Sequence, residues 1–232
     1  GAGRGLGHRA RREQGSPEER VALYRTLLQK SPDLERQREL LHGIAAIQRR
    51  DLDDATGAID TYRRILELDP EDGAAQEALL EAYAEAGQSE SLFKELGARL
   101  YRAKGDDRGR LLVRLADVAA TAGWSQRAAE HYHEALLEGA ALPEDRLAAV
   151  ESLGLSLGDA RLVRLVLSRR VEQATSPDDE ALWLERLAHH DADVLHDRAA
   201  GAASFLRAAR LVEESAGEEE RARTLYERAI AL

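Results

Sequence analysis

The feature that most constrains this 232-residue chain is a set of spaced residues that recurs about every 35 positions. In the clearest copy, Leu115 lies eight residues before Gly123, and Ala128, Tyr132 and Leu136 lie five, nine and thirteen residues after it. Similar offsets surround positions 15, 53, 87 and 158, so successive turns are 38, 34, 36 and 35 residues apart. A period of this length indicates a repeat architecture in which each unit stacks on its neighbours.

Each repeat predicts two amphipathic helices joined by a tight turn. Its apolar residues are three and four apart, which is the spacing of a helix with one apolar side. Glycine at the turn supplies a positive φ, and the small residue five positions later allows the two helices to approach closely. The sequence predicts helices over residues 17–30, 33–50, 54–68, 72–86, 89–103, 108–122, 125–138, 143–157, 159–174, 178–192, 197–214 and 218–232.

This spacing of small, aromatic and apolar residues resembles the tetratricopeptide repeat (TPR) family over residues 16–232. The resemblance implies an all-α fold, an α-solenoid of antiparallel helix pairs in a right-handed superhelix with about five to six units. The small residue after the turn is replaced by Leu92 and Val163 in two units, so the repeats are degenerate. Pentatricopeptide repeats share the period but bind RNA, and the acidic charge of this chain argues against them.

The repeat pattern is irregular between residues 178 and 214. The pattern starts again at Gly217, but Gly217 lies 59 residues after Gly158, and this distance is not a whole number of repeats. Either this stretch holds an extra helix or one unit is longer, and residues 189–200 are the expected place for a bend or loop. The pattern from Gly217 predicts core positions at Ala222, Tyr226, Ala229 and Ile230.

The first 15 residues show no apolar period and are rich in glycine and arginine. We expect them to form a flexible basic tail, and an arm that docks on an anionic surface is the alternative. The arginines of this tail are Arg4, Arg9, Arg11 and Arg12. Because the chain has no methionine, even at position 1, we also expect it to be a piece of a longer protein.

Composition excludes several classes of function. The 43 acidic and 33 basic residues leave a net charge of −10, so nucleic acid is not an expected partner. No apolar run approaches the roughly 18 residues of a membrane span. We therefore expect that the chain neither binds nucleic acid nor inserts into a membrane. The expected location is cytoplasmic.

Few residue combinations favour catalysis or metal binding. His189, Asp193 and His196 are four and three residues apart, so an unbroken helix would place all three on one side, within reach of one Zn or Ni ion. A helix end expected near Leu195 and the lack of a fourth ligand favour solvated side chains instead. Acidic pairs open helices and complement the helix dipole. The sequence therefore predicts no enzyme, no cofactor and no metal site.

In TPR proteins the first helices of successive units line a concave groove that binds the partner. The resemblance assigns this role to Ile47, Arg50, Glu77, Glu81, Glu85, Arg110, Val113, Asp117 and Ser152. Chaperone-docking members hold a C-terminal carboxylate with Lys and Asn, but Gly43, Glu77, Val113 and Ala148 stand at those places. An acidic groove with apolar patches predicts a basic or amphipathic protein or peptide partner, and homo-oligomerisation stays open.

The leading hypothesis is a protein-interaction scaffold or adaptor segment of a larger protein. A peptide- or metabolite-sensing regulatory domain of a signalling or transcription protein is the alternative, and a metal-dependent hydrolase is a third. Glu77, Glu81 and Glu85 recur every four residues without a basic residue in their helix. They are either a solvated face or an acidic row that attracts a basic ligand.

Overall fold

The computed structural model describes residues 15–214 and 218–232, in which 12 α-helices lie. These are α1 (Pro17–Lys30), α2 (Leu34–Asp51), α3 (Ala55–Leu68), α4 (Gly73–Glu85), α5 (Ser89–Leu100), α6 (Asp106–Thr121), α7 (Ser125–Leu137), α8 (Glu144–Leu157), α9 (Ala160–Gln173), α10 (Pro177–His189), α11 (Arg198–Glu213) and α12 (Glu219–Ala231). No strand occurs in these two ranges. The predicted all-α class is confirmed, and no predicted helix boundary differs from the observed one by more than three residues.

The helices fall into two compact units, one through Glu95 and one over Leu96–Leu232. In unit 1, α2 pairs with α3, while α1 packs on α2 and α4 packs on α3. In unit 2, α6 pairs with α7, α8 with α9 and α10 with α11, and α12 packs on α11. We call α2, α4, α6, α8 and α10 the A helices, and α3, α5, α7, α9 and α11 the B helices.

All five turns predicted from the repeat have a positive backbone φ. The values are 77° at Gly15, 52° at Asp53, 67° at Gly87, 76° at Gly123 and 67° at Gly158. After the last three of these, the next N–H donates to the carbonyl oxygen five residues back, as in Gln88 to Tyr83 at 2.9 Å. This bond satisfies a carbonyl that the helix end would leave without a partner.

The core follows the predicted offsets, with two exceptions. Leu115, Ala128, Tyr132 and Leu136 are all buried. Leu27, however, is exposed on α1, and Ile230 is 83% exposed, so the prediction that Ile230 faces the core is wrong. The predicted Ala222 and Ala229 do lie in the core shared with α11, and Leu225 rather than Ile230 is the large apolar side chain that α12 buries there.

The irregular stretch contains a π-helical turn, His190–Val194, followed by a left-handed residue, His196, with φ 58°. Counting from His196, the offsets of five and nine give Gly201 and Phe205, so the repeat continues through a turn without glycine. A Cβ on Gly201 would lie 2.9 Å from the Ala188 carbonyl oxygen, which explains the small residue there.

The Gly217 turn and the arginines of the predicted tail, Arg4, Arg9, Arg11 and Arg12, lie outside the described residues. How the units combine, including the expected superhelix, stays a prediction.

His196→Gly is expected to stabilise unit 2 by about 0.5–1 kcal/mol. A left-handed backbone strains residues that carry a Cβ, and the exposed His196 side chain offers little packing in return. Thermal unfolding followed by circular dichroism measures the change, with His133→Gly as the control in a helix interior. His133 lies in α7, so its replacement should destabilise by about 1 kcal/mol. A lower melting temperature for His196→Gly would contradict this account of the turn.

Candidate functional site

The three glutamates of α4 do not form a free acidic row. Arg49 on α2 donates to Glu81 at 2.8 Å and to Glu85 at 2.7 Å, with a second bond from its Nε to Glu85 at 2.8 Å. Glu77 is also engaged. No basic residue lies in α4 itself, and the neutralising arginine comes from the preceding A helix. Two of the three glutamates therefore hold α2 and α4 together.

Stability that depends on Glu85 should be lost in acid. The hydrogen bond from Arg49 lowers the pKa of Glu85 below its ordinary value of 4.5, so the ionised form stabilises the fold above about pH 4.5. This contribution should disappear as the pH falls through the lowered pKa. Because the pair is partly exposed, we expect at most about 1 kcal/mol. Glu85→Gln should unfold more easily than the parent at pH 7 and equally at pH 3. A difference between parent and variant that is unchanged at pH 3 would contradict it.

Two groove positions predicted in unit 1 are not accessible as expected. Ile47 is buried and packs in a cluster with Val21 and Ile44. The Tyr24 ring of α1 lies so close to Gly43 that a Cβ there would be 2.4 Å from it. Ile47 is therefore a core residue, because α1 covers this part of α2. Arg50, in contrast, is exposed.

In unit 2, each A helix is joined to the second helix after it by an ion pair, with the acid on the earlier helix. Asp117 on α6 binds Arg146 on α8, Glu151 on α8 binds Arg186 at 2.6 Å, and Glu185 on α10 binds Arg221 on α12 at 2.6 Å. Asp117 also accepts a hydrogen bond from the Tyr132 hydroxyl. The predicted groove residue Asp117 thus has two internal partners, and the charges on this side of the A helices are largely neutralised.

A buried arginine lies behind this surface, and the sequence did not reveal it. Arg170 on α9 is 4% exposed and is held by Glu144, at 2.8 Å, and by Glu151. Its guanidinium carbon lies 4.5 Å from the centre of the Trp183 ring, and that of Arg186 lies 5.0 Å from the same ring. These side chains come from three helices. The sequence places two arginines, Arg169 and Arg170, between the apolar positions Leu167 and Val171 of α9, and it identifies neither the buried one nor its partners.

The second half of α8 exposes an uncharged surface. Residues 152–157 contain only serine, leucine and glycine. Ser152, a predicted groove residue, is exposed, and Leu155 is 65% exposed. In a chain with 33% charged residues, this exposed leucine therefore lies on a helix segment that carries no charge.

A cavity of about 520 Å³ lies beside the first half of α6. It is lined by Gly105, by α6 residues between Asp106 and Arg114, and by the α7–α8 loop at residues 138–141. The structure brings the predicted groove residues Arg110 and Val113 together there, whereas Ser152 belongs to the surface on α8. We call the exposed side of α6 and α8 that carries Arg110, Val113, Ser152 and Leu155 the A face.

The structure does not assemble the candidate metal ligands. His189 Nδ1 lies 3.4 Å from Asp193, and its Nε2 lies 3.0 Å from the Arg228 guanidinium. His196 follows the π-helical turn in a left-handed conformation, because the helix does not continue to it. Within residues 15–214 and 218–232, no three His, Asp or Glu side chains are grouped so that they could hold a metal ion.

No helix in these ranges has the length and apolarity to cross a membrane.

Comparison with known proteins finds similar solved structures only. No family model matches the chain, and no curated protein matches it. A Podosopora anserina protein with nearly identical TPR-like repeats is 19% identical, with a TM-score of 0.37, and the match covers 87% of this chain and 96% of that one. The TPR2AB domain of yeast Sti1, solved as a complex with pHSP90, is 12% identical with a TM-score of 0.34, over 83% and 98% of the chains. A tetratricopeptide repeat protein from Parabacteroides merdae is 14% identical with a TM-score of 0.35, over 90% and 91%. Similarity at this level assigns neither a partner nor membership of a family.

Proposed function

We propose that this chain is a protein-interaction module that binds a protein or peptide on the A face of unit 2. The observation that carries the proposal is the exposed, uncharged second half of α8, with Leu155 at its centre. Burying such a leucine in a partner gains roughly 1.5–3 kcal/mol from the hydrophobic effect. The role is that of a scaffold or adaptor segment in a larger protein.

The charges of the A face favour an amphipathic partner over a strongly basic one. Asp117 and Glu151 are already paired with arginines of neighbouring helices. A basic ligand would have to compete with these internal pairs, whereas an apolar side chain needs no exchange of ion pairs. A partner helix with one apolar side fits this surface, since such helices dock into apolar grooves on their targets.

Two matched leucine substitutions test the proposal. Leu155 on the A helix α8 and Leu137 on the B helix α7 are 65% and 64% exposed, so Leu→Asp should disturb folding equally little at both. Proteins captured by the immobilised parent chain should also be captured by Leu137→Asp and should be lost from Leu155→Asp. For an identified partner, we expect the Kd of Leu155→Asp to rise by about tenfold or more. An unchanged Kd for Leu155→Asp, with helix content intact, would contradict the proposal.

A further inference from the structure

Glycines and alanines make up half of the residues that line the cavity beside α6. Gly109 on α6 and Gly139, Ala140 and Ala141 in the α7–α8 loop line it, together with the partly buried Val113. Its volume of about 520 Å³ is within the range of sites that enclose a ligand group. This glycine and alanine part of the lining presents a nearly flat apolar surface.

The charges that line the cavity balance one another. The lining contains two basic residues, Arg110 and Arg114, and two acidic residues, Asp106 and Glu138. Glu138 accepts a bond from Arg108 Nε at 2.6 Å, and Arg110 pairs with Asp107 one helical turn away, also at 2.6 Å. A cavity whose lining is formally neutral gives no net attraction to an anion or a cation. A neutral group with apolar surface is therefore the better fit.

An aromatic ring is a neutral group that a guanidinium can contact, as arginines do at other places in this chain. Arg63 stacks on Tyr83, Arg127 on Trp124, and both Arg170 and Arg186 on Trp183, with distances of 4.5–5.6 Å to the ring centres. Such contacts stabilise by about 0.5–1 kcal/mol or more. Arg110 and Arg114 are one helical turn apart on the same side of α6, so both lie where they could contact one ring in the cavity.

Resting on the proposed function, we propose that this cavity binds an aromatic side chain of the protein partner. The ring lies on the glycine and alanine wall, and the guanidinium groups of Arg110 and Arg114 contact its face. The Arg110–Asp107 pair is more than two-thirds exposed on both sides, so it is weak and can rearrange when the ring enters. Aromatic and arginine contacts of this kind commonly dominate interface affinity.

Gly109 supports this assignment because neither the backbone nor the packing requires glycine there. It lies within α6, and a Cβ would meet its nearest neighbour, Ala140 Cβ, at an ordinary 3.6 Å. A helix-interior glycine costs about 1 kcal/mol relative to alanine. What its missing side chain provides is an open cavity. Gly97 in α5 also has room for a Cβ but lies outside the cavity, so it is a matched control.

The experiment measures the binding of neutral probes to the purified chain by two-dimensional NMR. N-acetyltryptophanamide should shift the backbone amides of Gly109, Gly139, Ala140 and Ala141 saturably, with a Kd on the order of 1 mM. N-acetylleucinamide, and the lysine and glutamate analogues, should bind at least about fivefold more weakly. Two variants fill the cavity from opposite walls, Gly109→Leu and the exposed Ala141→Leu, and both should abolish the shifts. Gly97→Ala should retain them, while Arg110→Gln with Arg114→Gln should weaken binding at least about threefold.

Several results would overturn the proposal. These are no shift at the cavity amides, equal binding of the leucine probe, preferred binding of the lysine or glutamate probe, and binding unchanged in Ala141→Leu. Each outcome is separate from the partner test. If the tryptophan probe does not bind but capture still depends on Leu155, only the proposal of an aromatic side chain in the cavity is wrong. If the probe binds but capture of partner proteins does not depend on Leu155, the proposed function is wrong.

Discussion

Glu151→Ala is expected to destabilise unit 2 by about 3 kcal/mol, the largest effect we expect from one charged residue in this chain. Glu151 is 12% exposed and holds both Arg170 and Arg186. Its removal leaves the guanidinium of Arg170, which is 4% exposed, with Glu144 as its remaining carboxylate partner. A buried charge that loses its partner retains the cost of having been removed from water.

The matched control is Glu144→Ala, which removes the other carboxylate that contacts Arg170. Glu144 is mostly exposed, so we expect a loss of about 1 kcal/mol or less. Urea unfolding monitored by circular dichroism gives both values, and native-state hydrogen exchange should rise first in α8, α9 and α10. Equal losses for the two variants would contradict the view that Glu151 carries this network.

Leu115→Ala should cost about 2–5 kcal/mol, because it removes a side chain that is 1% exposed from the middle of α6. In an array of repeats, each helix pair contacts mainly its neighbours, so the loss should appear first as faster hydrogen exchange in α6 and α7.

Leu137→Ala is the control for this second prediction, since Leu137 is in the same unit and is mostly exposed. It should change stability by no more than about 0.5 kcal/mol. An unchanged exchange pattern in Leu115→Ala would contradict the burial of this position.

The repeat pattern predicts most of the fold because the turns and the core offsets are local. A left-handed residue ends each first helix, and small and aromatic residues follow at fixed distances. The turn at His196 was not predicted, because neither glycine nor aspartate occupies the left-handed position there. A more general signal was present: His196-Asp197, Gly158-Asp159 and Asp53-Asp54 each place an aspartate, which caps the next helix, after a left-handed residue.

The candidate site was less predictable, because its electrostatics depend on residues about 30 positions apart. Arg49 neutralises Glu81 and Glu85 from the preceding A helix. Ile47 has the apolar character expected of a groove residue, yet α1 covers it. Neither contact follows from the composition of one helix. Arg110 and Val113 meet at a cavity because the α7–α8 loop is built from glycine and alanine, which the groove positions alone do not indicate.

Hydrogen exchange of the chain with and without a captured partner tests the central claim most directly. If the A face of unit 2 binds the partner, the exchange of backbone amides should slow in α6 and α8, over residues 106–121 and 144–157. The B helices α7 and α9 should keep the exchange rates of the free chain. Protection confined to α7 and α9, with α6 and α8 unchanged, would contradict the account.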